Sequence, residues 1–193
     1  MVEMNGHRWG AEGPPPEAYS RVTNPERFAP LHVVAAEFLR RLELEFDATS
    51  SEGYGLDREL EEGCPPARPT VGIVPRDVGA APVVVAFSAF PGLRVRFGHW
   101  YMTAFPSCGC DACDETVEGE AERLKCLIDN LTAGRYREAI RIRLDGVAWQ
   151  ESEFWSADGR YSQESPLDPA RAVQLVARTD QSSHDWGPWR RRR

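Results

Sequence analysis

The sequence predicts an α+β fold, a single domain in which about three helices pack on a mainly antiparallel sheet. Apolar residues recur every three or four positions in some stretches, which is typical of helices, and alternate with polar residues in others, which is typical of strands. Two turn signals, Pro91-Gly92 and Asp145-Gly146, each separate a pair of alternating stretches and predict antiparallel hairpins. The chain has 193 residues, 41% of them hydrophobic, which is enough to bury one core.

Three helices are predicted from their apolar periodicity and from residues suited to their ends. Asn24 and Asp168 each precede a proline, as an N-cap precedes the first turn of a helix. Gly134 suits the left-handed position that ends a helix. The predicted ranges run from 24 or 30 to 46, from 114 or 116 to 133, and from 168 to 178.

Strands are predicted where apolar and polar residues alternate. A loop rich in glycine and proline, with one helical turn at 56–61, precedes the first strand. Pro91-Gly92 suits a type II turn, and His99 follows on the inward face of the next strand. The loop spans 47–69, and the predicted strands span 70–74, 83–90, 93–102, 135–144 and 147–154.

The two ends of the chain differ from its centre in composition. Residues 1–23 contain a Gly-Pro-Pro-Pro run and little apolar periodicity, which predicts an extended N-terminal arm. Residues 24–180 are predicted to form the single α+β domain. Residues 181–193 form a tail rich in tryptophan and arginine, and we expect Trp186 and Trp189 to dock on the domain while the arginines stay in solvent.

The charge balance limits the classes of partner. Thirty acidic against 23 basic residues give a formal net charge of -7, which disfavours nucleic acid and favours a protein or a small molecule. No apolar run approaches the length of about 18 residues that spans a bilayer. Residues 1–12 lack the basic start and apolar centre of a signal peptide. We therefore expect a cytoplasmic protein that does not contact a membrane.

The cysteines carry the most concentrated chemical signal. An odd number of five, in a chain expected to stay in the cytoplasm, indicates reduced thiols rather than a disulfide framework. Cys108, Cys110 and Cys113 fall within six residues. The spacing of Cys110 and Cys113 is that of zinc knuckles, and a kink at Gly109 would let the third sulfur approach. The sequence therefore predicts a zinc site with these three thiolates as ligands, and His99 is the candidate fourth ligand.

Other interpretations of the cysteine cluster stay open at the sequence level. The fourth ligand is alternatively Cys64, Asp111, Asp114 or a water in an open site. An open site would suit a metal-dependent enzyme in which one of the nearby carboxylates, including Glu115, moves protons. A thiol-redox role would use Cys110 and Cys113. A metal-free interaction domain would use the cysteines only for packing, so whether the protein is an enzyme is not decided.

Several short motifs carry a family resemblance. They read MNGHRWG, FPGLRVRFG, FPSCGCDACDE, LTAGRYRE and EFWS, followed by the tryptophan-rich basic end. In these the chain resembles an uncharacterised domain-of-unknown-function family from high-GC bacteria, with FPSCGCDACDE as the most specific motif. The resemblance spans nearly the whole chain and implies one complete domain. It implies no substrate, cofactor or catalytic residue.

Overall fold

The computed structural model describes residues 9–10, 12–157 and 159–193. The predicted α+β class is confirmed, with strands that all pair antiparallel. The strands form two sheets, of five and four strands, rather than the one sheet expected. A second sheet arises because the chain resumes strand pairing after its central helix, with new partners.

The first sheet is a meander in which each strand pairs with its neighbour in the chain. The predicted hairpin around Pro91-Gly92 is confirmed, but Gly92 lacks the positive φ that a type II turn requires. A Cβ at this position would lie 2.6 Å from the Phe105 carbonyl oxygen, so close approach of the backbone is what requires glycine here. The strands are β1 (Ala48–Gly53), β2 (Pro66–Pro75), β3 (Val83–Ser88), β4 (Leu93–Phe97) and β5 (Tyr101–Phe105).

Two expectations for this region were wrong. The single strand expected over 93–102 is split, because Gly98 adopts a left-handed conformation (φ 64) that turns the chain from β4 into β5. The loop expected over 47–69 contains β1, which pairs with β2 from Ala48 opposite Pro75 to Gly53 opposite Thr70. β1 escaped prediction because its sequence, ATSSEG, has no apolar alternation; it is an edge strand with four exposed residues.

The second sheet has the order β8-β7-β6-β9. Its central hairpin turns at Asp145-Gly146 as predicted. On one face the arginines of β6 pair with acidic residues of β7, through Arg137–Glu153 at 2.6 Å and Arg141–Glu151 at 2.8 Å. The strands are β6 (Tyr136–Ile142), β7 (Ala148–Trp155), β8 (Arg160–Leu167) and β9 (Ser183–Trp186).

The three predicted helices are confirmed, together with the short turn of helix. Thr116 caps the second long helix by accepting from the Gly119 N–H, and Asp168 caps the last by accepting from two backbone N–H groups. None of the helices in the described part of the chain is both long and apolar enough to cross a membrane. The helices are α1 (Pro30–Glu45), α2 (Arg58–Glu61), α3 (Val117–Thr132) and α4 (Pro169–Thr179).

The main core lies between the first sheet and the helices α1 and α3. The tail contributes to it: Trp186 and Trp189 are 7% and 4% exposed, and the Trp189 indole N–H donates to the Ala81 carbonyl. Docking of the tail tryptophans is therefore observed, and β9 adds an edge strand to the second sheet. The chain divisions after residues 23 and 180 stay predictions.

Candidate metal centre

The loop between β5 and α3 brings the three predicted cysteine ligands together. The sulfur atoms of Cys108, Cys110 and Cys113 all lie within 4.8 Å of one another. Within the described ranges, no other group of three or more histidine, cysteine or acidic side chains gathers its ligand atoms this closely. None of the three cysteines forms a disulfide, and Cys110 is buried whereas the other two are exposed.

Local backbone geometry folds the sulfurs inward. Gly109 has a φ of 77°, and a Cβ there would lie 3.0 Å from the Phe90 ring, so the predicted glycine kink is present. Glu115 closes the loop on itself, because one of its carboxylate oxygens accepts from the N–H groups of Cys108 at 3.0 Å and Gly109 at 2.9 Å. This carboxylate therefore holds the loop backbone.

Hydrogen bonding shifts the pKa values of Cys110 and Cys113 in opposite directions. Donation from Cys108 and from the backbone N–H of Cys113 lowers the pKa of Cys110. The sulfurs of Cys110 and Cys113 lie 3.4 Å apart, and this contact, together with the contact to Cys108, raises the pKa of Cys113 to about 12. Of these two residues, Cys110 therefore ionises more readily than Cys113.

The separations fit a tetrahedral thiolate site. With zinc–sulfur bonds of about 2.3 Å, tetrahedral geometry places two sulfurs about 3.8 Å apart. In the cluster one pair of sulfurs lies at 3.4 Å, and no pair is farther apart than 4.8 Å. A divalent ion would replace the shared protons and relieve the repulsion among three thiolates. The arrangement can hold a metal ion with three protein ligands.

The same loop holds the N-terminal arm through Asp111. This side chain is 2% exposed, and its carboxylate accepts from the Thr23 N–H at 2.8 Å and the Thr23 hydroxyl at 2.6 Å. Its backbone N–H donates to the Arg21 carbonyl at 2.9 Å. Its carbonyl accepts from the Trp9 indole N–H at 3.1 Å. One residue between two cysteines thus binds the arm at three places.

Neighbouring residues extend this contact. The Ala112 N–H donates to the Ala18 carbonyl at 3.2 Å, and Arg27 donates to the Gly109 carbonyl at 3.3 Å. Sequence reasoning assigned no partner to the arm, because hydrogen bonds between segments about 90 residues apart leave no periodic signal in either segment. The sequence suggested Asp111 as one candidate metal ligand. In the structure its carboxylate binds Thr23 instead.

His99, the candidate fourth ligand, lies in the turn between β4 and β5. Its ring packs against His184 and Trp186, with centroids 4.7 and 5.0 Å away. Burial, followed by the nearby His184, lowers its pKa to about 4. The structure does not bring this ring into the group of close thiols, nor does it bring Cys64 there.

A buried carboxylate beside His99 was missed at the sequence level. Glu138 is 1% exposed and accepts from the N–H groups of His99 and Trp100, from the Tyr136 hydroxyl and from the Trp186 indole. Burial raises its pKa. Its place on the inward face of β6, two residues after Tyr136, is the signal that could have found it. Its donors come from the β4–β5 turn of the first sheet and from β6 and β9 of the second sheet. Glu138 therefore links the two sheets.

These features define the protein as a two-sheet α+β domain with a compact cysteine cluster that holds an N-terminal arm. The chain belongs to the family described as a family of unknown function (DUF6226), whose model matches residues 4–193. This confirms the resemblance to a family without assigned activity. No curated protein and no solved structure matches the chain significantly.

Proposed function

We propose that Cys108, Cys110 and Cys113 bind a structural zinc ion that fixes the cysteine loop and, through it, the N-terminal arm. The observation that carries the proposal is the closeness of three sulfurs in a loop whose backbone and whose Asp111 side chain hold the arm. Thiolate ligands favour zinc over magnesium or calcium, which prefer oxygen.

A structural role accounts for the surrounding carboxylates better than a catalytic one. A metal-dependent hydrolase needs a free carboxylate or histidine near the metal to move protons. Asp111 is committed to Thr23, and Glu115 is committed to two loop N–H groups. Both carboxylates serve the conformation of the loop, which is what a metal that stabilises folding requires.

Metal analysis of the purified full chain tests this proposal. We expect about one zinc per chain by elemental mass spectrometry of protein purified without chelator. Serine at any of the three cysteine positions should abolish stoichiometric binding, whereas Cys126→Ser, an exposed thiol on α3, is the matched control. A wild-type protein with no metal and five titratable thiols would contradict the proposal.

A thiol-redox role is the second candidate, favoured by the 3.4 Å separation of the Cys110 and Cys113 sulfurs. It requires a disulfide between these two residues that forms and is reduced near the cytosolic thiol potential. Equilibration of the protein with glutathione buffers, followed by mass spectrometry of the alkylated thiols, measures that potential. A cluster that stays reduced in oxidising buffers while zinc is bound supports the structural site.

The proposed role is one of binding rather than catalysis. The arm and the cysteine loop would form a surface for a protein or small-molecule partner. The formal charge of -7 disfavours nucleic acid. A reduced cluster requires a reducing compartment, so we place the function in the cytoplasm. A metal-free interaction domain is the alternative in which the serine variants fold and bind as the wild type does.

A further inference from the structure

We propose that the basic end of the tail forms a binding site for a small phosphate-bearing molecule. Four consecutive arginines, Arg190 to Arg193, follow the buried Trp189. Together with Arg76, which directly follows β2, they line an open cavity of about 450 Å³, here called the arginine pocket. The pocket shares no residue with the cysteine loop, so this proposal does not depend on the proposed zinc site.

The backbone of the tail is held in place beside the pocket. The Asp47 N–H donates to the Arg190 carbonyl at 2.8 Å, and Arg191 forms an antiparallel bridge with Phe46. Trp189 is 4% exposed and anchors the preceding residue of the tail in the core. The arginines therefore project from a backbone that is already ordered, which lowers the entropic cost of binding an anion.

Three of the five guanidinium groups also have partners within the protein. Arg76 pairs with Asp47 at 3.2 Å, and Arg191 pairs with Glu45 at 3.3 Å. Arg192 donates to two backbone carbonyls, at 2.7 and 3.2 Å. These contacts position the side chains but use only part of the five N–H donors that each guanidinium group offers.

Arg190 and Arg193 have no such partner. Both side chains are exposed and line the arginine pocket, and within the part of the chain that the structure describes, no hydrogen bond or ion pair engages either guanidinium group. Among the residues that line the pocket, one carboxylate, that of Asp47, faces five arginines. Like charges gathered in this way repel one another, and a bound anion replaces this repulsion with attraction.

The two unpaired charges indicate the charge of the ligand. A phosphate monoester carries about -1.5 to -2 at pH 7, which matches the charge of the Arg190 and Arg193 side chains. The planar guanidinium group donates two parallel N–H bonds to phosphate oxygens, a geometry that an ammonium group cannot reproduce. The chemistry of the pocket therefore favours a phosphate monoester.

The size of the pocket and its surroundings favour a small molecule over a polymer. A volume of about 450 Å³ is within the range of small-molecule sites. The chain as a whole has a formal charge of -7 although five of its 23 basic residues line this pocket, so acidic residues dominate elsewhere. A nucleic acid or an anionic membrane would extend beyond the pocket and meet that negative charge.

Calorimetric titration of the full chain with phenyl phosphate, a simple monoester, tests the site. We expect saturable binding, and the double variant Arg190→Gln, Arg193→Gln should weaken it by more than about tenfold because hydrogen bonds to a charged group are lost. Lysine at the same two positions keeps the charge but not the fork of donors, and it should also weaken binding. The matched control is Arg40→Gln with Arg135→Gln, two exposed arginines outside the pocket, and it should leave the affinity unchanged.

The charge of the ligand provides a second readout. The second pKa of a phosphate monoester is about 6, so its affinity should fall when the pH is lowered from about 7.5 to about 5.5. Sulfate stays a dianion over this range and controls for titration of Asp47 and Glu45, the acidic groups that pair with arginines here. Absence of saturable binding, or equal weakening by the control pair, would overturn the proposal. Tighter binding of a DNA oligonucleotide or of anionic vesicles through the same two arginines would overturn the assignment of a small ligand.

Discussion

Removal of the Asp111 carboxylate tests the link between the cysteine loop and the arm. In the native protein this carboxylate accepts two hydrogen bonds from Thr23, at 2.8 and 2.6 Å. Hydrogen bonds to a charged group contribute about 1.5 to 3 kcal/mol each. Thr23 is exposed, so water replaces part of the loss, and we expect Asp111→Ala to lower the free energy of unfolding by about 2 kcal/mol.

A double-mutant cycle separates this contact from general disturbance of the loop. Thr23→Val removes the hydroxyl donor and keeps the backbone N–H, and it should cost about 1.5 kcal/mol. Together with Asp111→Ala it should cost less than the sum of the two, by about 1 kcal/mol. Urea unfolding at fixed zinc concentration, followed by far-UV circular dichroism, measures all four species.

An exposed carboxylate provides the control. Asp129 pairs with Arg41 at 2.8 Å and Lys125 at 3.0 Å, but its side chain is 43% exposed, and surface ion pairs contribute about 0 to 1 kcal/mol. Asp129→Ala should therefore cost less than Asp111→Ala. The reasoning is refuted if Asp111→Ala costs no more than the control, or if its effect adds fully to that of Thr23→Val.

Three further predictions concern stability in the acid range and two turns that contain glycine. Burial would raise the pKa of Glu59, but hydrogen bonds from arginines, with Arg171 first, lower this pKa to about 2. The ionised Glu59 therefore contributes fully to stability above pH 4.5, the pKa in the unfolded chain, and the contribution is lost as the pH falls towards 2. Glu59→Gln should flatten the urea-midpoint profile over that range. Burial lowers the pKa of His99 to about 4, so the unfolded chain binds a proton more readily and stability should fall as the pH drops from 6.5 to 4. His99→Asn should reduce that slope without abolishing it, because burial also lowers the pKa of the neighbouring His184. An NMR titration of the ring measures the pKa directly. Gly98→Ala should lower the free energy of unfolding more than Gly146→Ala does. Both glycines have a positive φ, but a Cβ at Gly98 would meet the buried carboxylate of Glu138, whereas a Cβ at Gly146 would have nothing within 4 Å. Thermal unfolding of the two variants compares them, and equal losses of stability would contradict the argument.

The elements that were predicted correctly carry a local signal. α1, α3 and α4 show apolar periodicity, and their ends have residues such as Thr116 and Asp168 whose side chains cap the backbone. The two predicted hairpins have turn residues between alternating stretches. Such signals depend only on neighbours in the chain, so a single sequence contains them. The spacing of the three cysteines is also a local signal, and it predicts the close approach of their sulfur atoms that the structure shows.

What could not be predicted depends on contacts between distant segments. β1 is polar and becomes a strand because β2 offers it an edge to pair with. The same holds for β9, which pairs with β6 from the far end of the chain. The carboxylate of Glu138 is buried because five groups from both sheets donate to it. Partners from distant parts of the chain decide each of these cases. The alternation along β6 could place Glu138 on the inward face, but it could not supply the groups that donate to it.

The two ends of the chain are attached by different physical means, and the difference bears on the metal site proposed at one of them. The tail buries Trp186 and Trp189 in the main core, and it also pairs β9 with β6. Among the described residues from 9 to 27, only Ala18 is buried. The arm is therefore held mainly by hydrogen bonds to one short loop, and such bonds stabilise it only while the loop keeps its shape. A zinc ion bound by three thiolates would provide that rigidity at the point where the arm makes its contacts.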